Sequence, residues 1–150
     1  MDLAVSLIDR IDWSSFRCRT GPGSGVDDAL NRLLGAADGA AARDAWWGLE
    51  NVVFAQDDVF SVAEPVVDVL LAALSTQRPA HVKSLLLDLL FHVLHGSSVD
   101  DPSLPERCRS RAKLGTWLLV AEAASREGPA RETVVEILEM VDVAAAELFS

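Results

Sequence analysis

The chain has 150 residues, half of them hydrophobic, enough to bury a core without disulfides or metals and too apolar for disorder. Its formal charge of −10 excludes the basic stripe that nucleic-acid phosphates require, and it disfavours an anionic membrane surface. Ala and Leu dominate, Tyr is absent and strand-type alternation is nowhere sustained, so the expected class is all-α in a single domain over residues 1–150.

In chain order, the apolar spacing predicts seven helices. The first, over 2–12, places Leu3, Leu7 and Ile11 on one face, and the run Thr-Gly-Pro-Gly-Ser-Gly at 20–25 breaks the chain after it. A second helix over 26–37 turns Ala29, Leu30, Leu33 and Leu34 inward, and a third covers roughly 41–55. Ser61-x-x-Glu64 has the form of a capping box, which puts Pro65 in the first turn of a fourth helix ending near Leu74. A start at Asp58 with a kink at Pro65 is the alternative. Pro79 opens a fifth helix and Gly96 closes it; apolar side chains cover most of its circumference, so it should be the most central. Ser103-x-x-Glu106, with Pro105, opens a sixth helix to about Ser125. After Gly128-Pro129 a last helix runs over about 130–149, with Val134, Ile137, Leu138, Val141, Ala145 and Leu148 on one face and Glu132, Glu136, Glu139 and Glu147 opposite.

Charge is unevenly spread. Residues 44–77 carry six acids and no base, 78–131 carry six acids and eight bases, and 132–150 carry five acids and no base. The plain reading is solubility; the functional one is steering of a basic partner. Cys18 and Cys108 have no metal-type spacing and read as free thiols of a reducing cytoplasm. The N-terminus has no basic n-region or small-residue cleavage site, and no apolar run is long enough to span a bilayer, so a cytoplasmic location is expected.

Little here carries catalysis. His81, Ser84, Asp88, His92 and His95 step by three and four along one stripe of the fifth helix, and Asp88, His92 and His95 are the candidate metal ligands of a metal-dependent enzyme. The simpler reading is the polar edge where a buried helix meets water, so no cofactor is expected. Trp46 shares a face with Leu49 and Val53 and reads as core. Trp47 falls with Glu50, Asn51 and Phe54 on a second face, which reads first as packing between repeats; the alternative is an exposed aromatic–acidic patch beside Asp57, Asp58 and Glu64, which suits a protein-binding hot spot. Trp13 and Trp117 read as core. Arg107, Arg109, Arg111 and Lys113 read as internally compensated by the acidic blocks or by Asp100, Asp101 and Glu106 rather than as a phosphate site. Nucleotide-binding glycine loops and nucleophile elbows are absent from the sequence.

The runs Ala45-Trp-Trp-x-Leu-Glu-x-Val-Val, Pro65-Val-Val-x-Val-Leu-Leu-Ala-Ala-Leu and Pro79-Ala-His-x-Lys-x-Leu-Leu-Leu-x-Leu-Leu resemble HEAT-like helical repeats, over about residues 43–96. More narrowly, they look like the small bacterial HEAT-like proteins encoded beside polymorphic toxins, some of which are immunity proteins. Asp57-Asp58 matches the acidic position of such a unit, but no Arg follows until Arg78. The resemblance implies a short right-handed α-solenoid of about six to seven helices. It also implies a non-enzymatic module that binds and neutralises a protein, with a basic toxin as the partner suited to this charge. The binding residues expected are Trp47, Glu50, Phe54, Asp57, Asp58, Glu64 and Asp68; a general scaffold or adaptor is the other non-enzymatic reading.

Overall fold

A computed structural model describes residues 1–23 and 25–150; Ser24, inside the break predicted at 20–25, lies outside the described residues. Among the described residues the chain is mostly helical, with nine α-helices and two short β-hairpins. Helix α5 (Ala80–His95) organises the rest. Val82, Leu86, Leu87, Leu89, Leu90, Val93 and Leu94 are all buried, so neighbours must cover it on several sides. Those neighbours are α3 (Gly39–Trp47), α4 (Ala63–Leu74), α6 (Leu104–Lys113) and α8 (Gly128–Val141). The helices fall into two rows: α1 (Leu3–Arg10), α4 and α6 in one, α3, α5 and α8 in the other. Helix α2 (Val26–Leu34) closes one end against α1 and α3, while α7 (Thr116–Ala124) and α9 (Val143–Ala146) pack on α8 at the other. No described helix is long and apolar enough to cross a membrane.

Local chemistry sets most boundaries. Asp2 caps α1 by accepting from the Ala4 and Val5 amides, and the Arg78 guanidinium reaches the same carboxylate at 2.7 Å, tying α1 to the end of α4. The buried face of α1 is Ala4 and Ile8, with Leu7 and Ile11 half-buried; Leu3, expected inward, is exposed. The Trp13 indole donates to the Ile8 carbonyl and is buried as expected. Part of the predicted break is ordered as a hairpin of β1 (Arg17–Cys18) and β2 (Gly21–Pro22), where Gly21 takes φ +131° at little steric cost. Both thiols are free and buried, and burial pushes Cys108 up to about 12.

Three expected helices are shorter or divided. The third stops at Trp47, and the chain continues into a hairpin of β3 (Phe54–Ala55) and β4 (Asp58–Val59), with Asn51 and Gln56 at positive φ. Val52, Val53, Phe54, Val59 and Phe60, flanking Gln-Asp, are strand formers around a turn. That hairpin sits against the end of α5: Asp58 bridges Ser97, and a Cβ on Gly96 would lie 2.6 Å from Val59 Cγ1. The Ser61 capping box does not form. Its hydroxyl accepts from the Arg17 amide at 2.7 Å and Glu64 turns to α6, although Pro65 does lie in the first turn of α4. Ser103 likewise makes no cap; its hydroxyl donates to Asp101.

The predicted sixth helix divides into α6 and α7 at Leu114-Gly115, where Leu71 Cδ2 lies 2.6 Å from the place a Gly115 Cβ would take. The last helix divides at Asp142, whose carboxylate caps α9 through the Ala145 amide and also meets the Thr116 hydroxyl. The glutamates of α8 face solvent as expected, but Leu148, expected on the inward face, is exposed because the helix does not run on past Asp142.

Trp117 is a correction: expected in the core, it is 73% exposed. Helix α7 has one acid, Glu122, and that acid is buried, bonded to Lys83 Nζ of α5 at 2.7 Å with Arg126 Nε at 3.5 Å. Holding Glu122 inward fixes the rotation of α7. Trp117, five residues earlier, falls roughly 140° away on the helical wheel and emerges with Ala121 and Ala124. Glu122→Ala leaves Lys83 and Arg126 without their shared anion, and is expected to cost about 2–3 kcal/mol in urea unfolding. Glu122→Gln should fall between it and the parent chain.

Candidate functional site

The strongest candidate surface is built on the end of α3. Trp47 is 57% exposed, and its ring packs edge-on against the buried Trp46, with centroids 5.6 Å apart at 83°. Trp46 in turn meets Phe54 at 6.1 Å and His92 at 5.9 Å, and Phe54 and His92 stack at 5.0 Å, nearly parallel. An exposed indole thus stands against the buried Trp46, which is backed by the buried Phe54 of the second hairpin and the partly exposed His92 of α5. Such a ring loses little side-chain freedom when a partner covers it.

Phe54, expected on the surface beside Trp47, is instead buried, only 3% exposed, and supports this surface from beneath. The reason is the end of α3 at Trp47: Phe54 enters on a strand rather than on the helical face of Trp47. Glu50 is half-buried in the turn between them. Asp57 is exposed at the hairpin tip, and Asp58 accepts from the Val99 amide. Asp44, one turn before Trp47 on α3, is an exposed acid that the sequence reading did not select; its i, i+3 relation to Trp47 was the available signal.

Glu64 and Asp68 belong to a different set of contacts. They join the basic row of α6 in an alternating chain, Asp68–Arg111–Glu64–Arg107–Asp101, with N–O distances between 2.7 and 3.0 Å. The compensation expected for Arg107 and Arg111 is present, through Asp101 and the acidic block. Arg109 instead donates to the Leu94 carbonyl. Burial alone would raise the pKa of Glu64, but hydrogen bonds from Arg107 and Arg111 outweigh it and hold the carboxyl below its ordinary value. Asp68 goes the other way: burial raises it, and Arg111 only partly offsets that.

The histidine stripe lies along the outer edge of α5. His92 Nε2 is 3.8 Å from Asp88 and its ring rests on Phe54, while His95 stacks on Phe91 at 5.4 Å. His81 Nε2 meets the Ala36 carbonyl at 3.0 Å. Among the described residues no group of three or more His, Cys, Asp or Glu side chains is placed to hold a metal ion.

Compared with known proteins, the chain matches no protein-family model, no curated protein and no solved structure. The side chains themselves carry the functional reading.

Asp101 is partly exposed and held down to about 2 from 3.8, chiefly by its hydrogen bond from Arg107 and then by Ser103. A depressed folded-state pKa means its stabilising effect is complete above about pH 4 and fades as pH falls toward about 2. Asp101→Asn should therefore flatten the loss of stability over that window, read as urea midpoints compared at about pH 5 and about pH 2.

Proposed function

We propose that this protein is a non-enzymatic binding module that captures a basic protein partner through the surface around Trp47. The observation that carries the reading is the exposed Trp47 ring held edge-on by the buried Trp46, itself backed by Phe54 and His92. A well-supported, half-exposed indole is the residue type of an interface anchor, and α3 sets one exposed acid, Asp44, and one exposed base, Arg43, on the turn before it.

Charge supports the sign of the partner. Arg78, Lys83, Arg107, Arg111 and Arg126 pair with Asp2, Glu122, Glu64, Asp101 and Asp68, equal numbers of each sign, so the formal charge of −10 is carried entirely by the other side chains. Residues 44–77, which supply α3's end, the hairpin and α4, hold no base. Opposite charge accelerates encounter and suppresses acidic competitors.

The two-row packing of helices supports a short HEAT-like solenoid as the scaffold. Together with the resemblance of residues 43–96, it makes an immunity protein covering a basic toxin the specific form we favour. The product of the neighbouring gene is the partner to test. Trp47→Ala is expected to weaken its binding by about 2 kcal/mol with thermal unfolding unchanged, and the association rate should fall as salt is raised. Absence of binding, or an unchanged affinity in Trp47→Ala, would sink the proposal.

A further inference from the structure

The alternating ion chain has a carboxylate at each end, three acids for two guanidiniums, and its two ends differ in surroundings. At the outer end Asp101 is partly exposed and has both carboxylate oxygens bonded, one by Arg107 and the other by Ser103. At the inner end Asp68, on α4, lines a cavity of about 330 Å³ at the junction of α1, α4 and α6. Leu7, Ile11 and Phe16 form its apolar wall, and Asp12, Glu64 and Arg111 also line it. The lining carries three carboxylates and one guanidinium, a net of −2. Arg111 takes Oδ2 of Asp68 at 2.8 Å, and no described residue bonds the other oxygen. Asp12 Oδ1 accepts only from the small hydroxyl of Ser14.

We propose that this cavity binds a primary ammonium or guanidinium carried on a short aliphatic stem, with the stem against Leu7, Ile11 and Phe16 and the cation on the free oxygen of Asp68. The ligand supplies the next link of the chain, a third cation for the third acid. Its stem is needed because the wall is apolar, and its charge because the carboxylate is half-buried and under-compensated. The upward shift of Asp68, caused by burial and by the neighbouring charge of Glu64 against the pull of Arg111, is the expected mark of an anion short of a partner. A lysine side chain of a bound protein and a free alkylamine share this chemistry. The site is separate from Trp47 and stands whether or not that surface binds a partner.

The test is a titration of protein with labelled Leu and Ile methyl groups, using n-butylammonium chloride at constant ionic strength and n-butanol as the uncharged control. Saturable shifts at Leu7 and Ile11 are expected, with a dissociation constant on the order of 1–10 mM, and about tenfold weaker binding of the alcohol. Asp68→Asn should weaken the ammonium about tenfold, whereas Arg111→Gln should tighten it several-fold, because it removes the competing internal cation. Loss of fold would weaken both variants, so the opposite signs isolate the electrostatic role. Trp47→Ala should leave the shifts unchanged. A capped Gly-Lys-Gly peptide that matches n-butylammonium assigns the cavity to a partner's side chain; binding of the amine alone assigns it to free amines. Failure of n-butylammonium to shift Leu7 and Ile11, equal binding of n-butanol, or a change of the same sign in Asp68→Asn and Arg111→Gln would overturn the proposal.

Discussion

The burial of α5 is the constraint from which the rest of this structure follows. A helix with one polar edge and apolar side chains elsewhere cannot lie on a surface, so α3, α4, α6 and α8 must close around it. That requirement produces the two rows, and it leaves Asp88, His92 and His95 on the one side left open. It also brings the second hairpin to the end of α5, which is how Phe54 comes to stack on His92 and support Trp46.

Charge is arranged on a second level. The fold uses its cations internally: Arg78 fastens α1, Lys83 fixes the rotation of α7, and Arg107 and Arg111 join α6 to α4. These pairs are partly buried and hydrogen-bonded, and each links elements distant in sequence. They add modest stability beside the apolar core, but they determine which faces point outward. The surface left after this pairing is acidic on α8 and around the second hairpin. The internal pairs take equal numbers of acids and bases, so the acidic exterior reflects the excess of acids in the chain, and it suits a basic partner.

Features carried by long apolar periods were legible in the sequence. Helix α5, the inward face of α2 and the acidic outer face of α8 all follow from spacing over two or more turns. The second hairpin was not, because Val52-Val53-Phe54 is too short to distinguish a helical from a strand period, and Asn51 and Gln56 give weaker turn signals than Gly. Reading Phe54 as a surface residue followed directly from continuing α3 through it. The rotation of α7 depends on Glu122 meeting Lys83, 39 residues away, and no local pattern encodes such a pairing. Glu64 and Asp68 were identified as an acidic surface for the same reason: their guanidiniums lie 43 and 47 residues further on.

The outward turn of α7 leaves Trp117 exposed three residues after Leu114, itself 85% exposed, on a helix whose one acid points inward. At neutral pH the −10 of each molecule keeps such faces apart. As carboxylates are neutralised, that repulsion vanishes while the apolar face is unchanged. The polarity of one buried glutamate thus bears on colloidal behaviour: by drawing α7 into a salt bridge it leaves an adhesive patch whose harmlessness depends on the charge carried elsewhere.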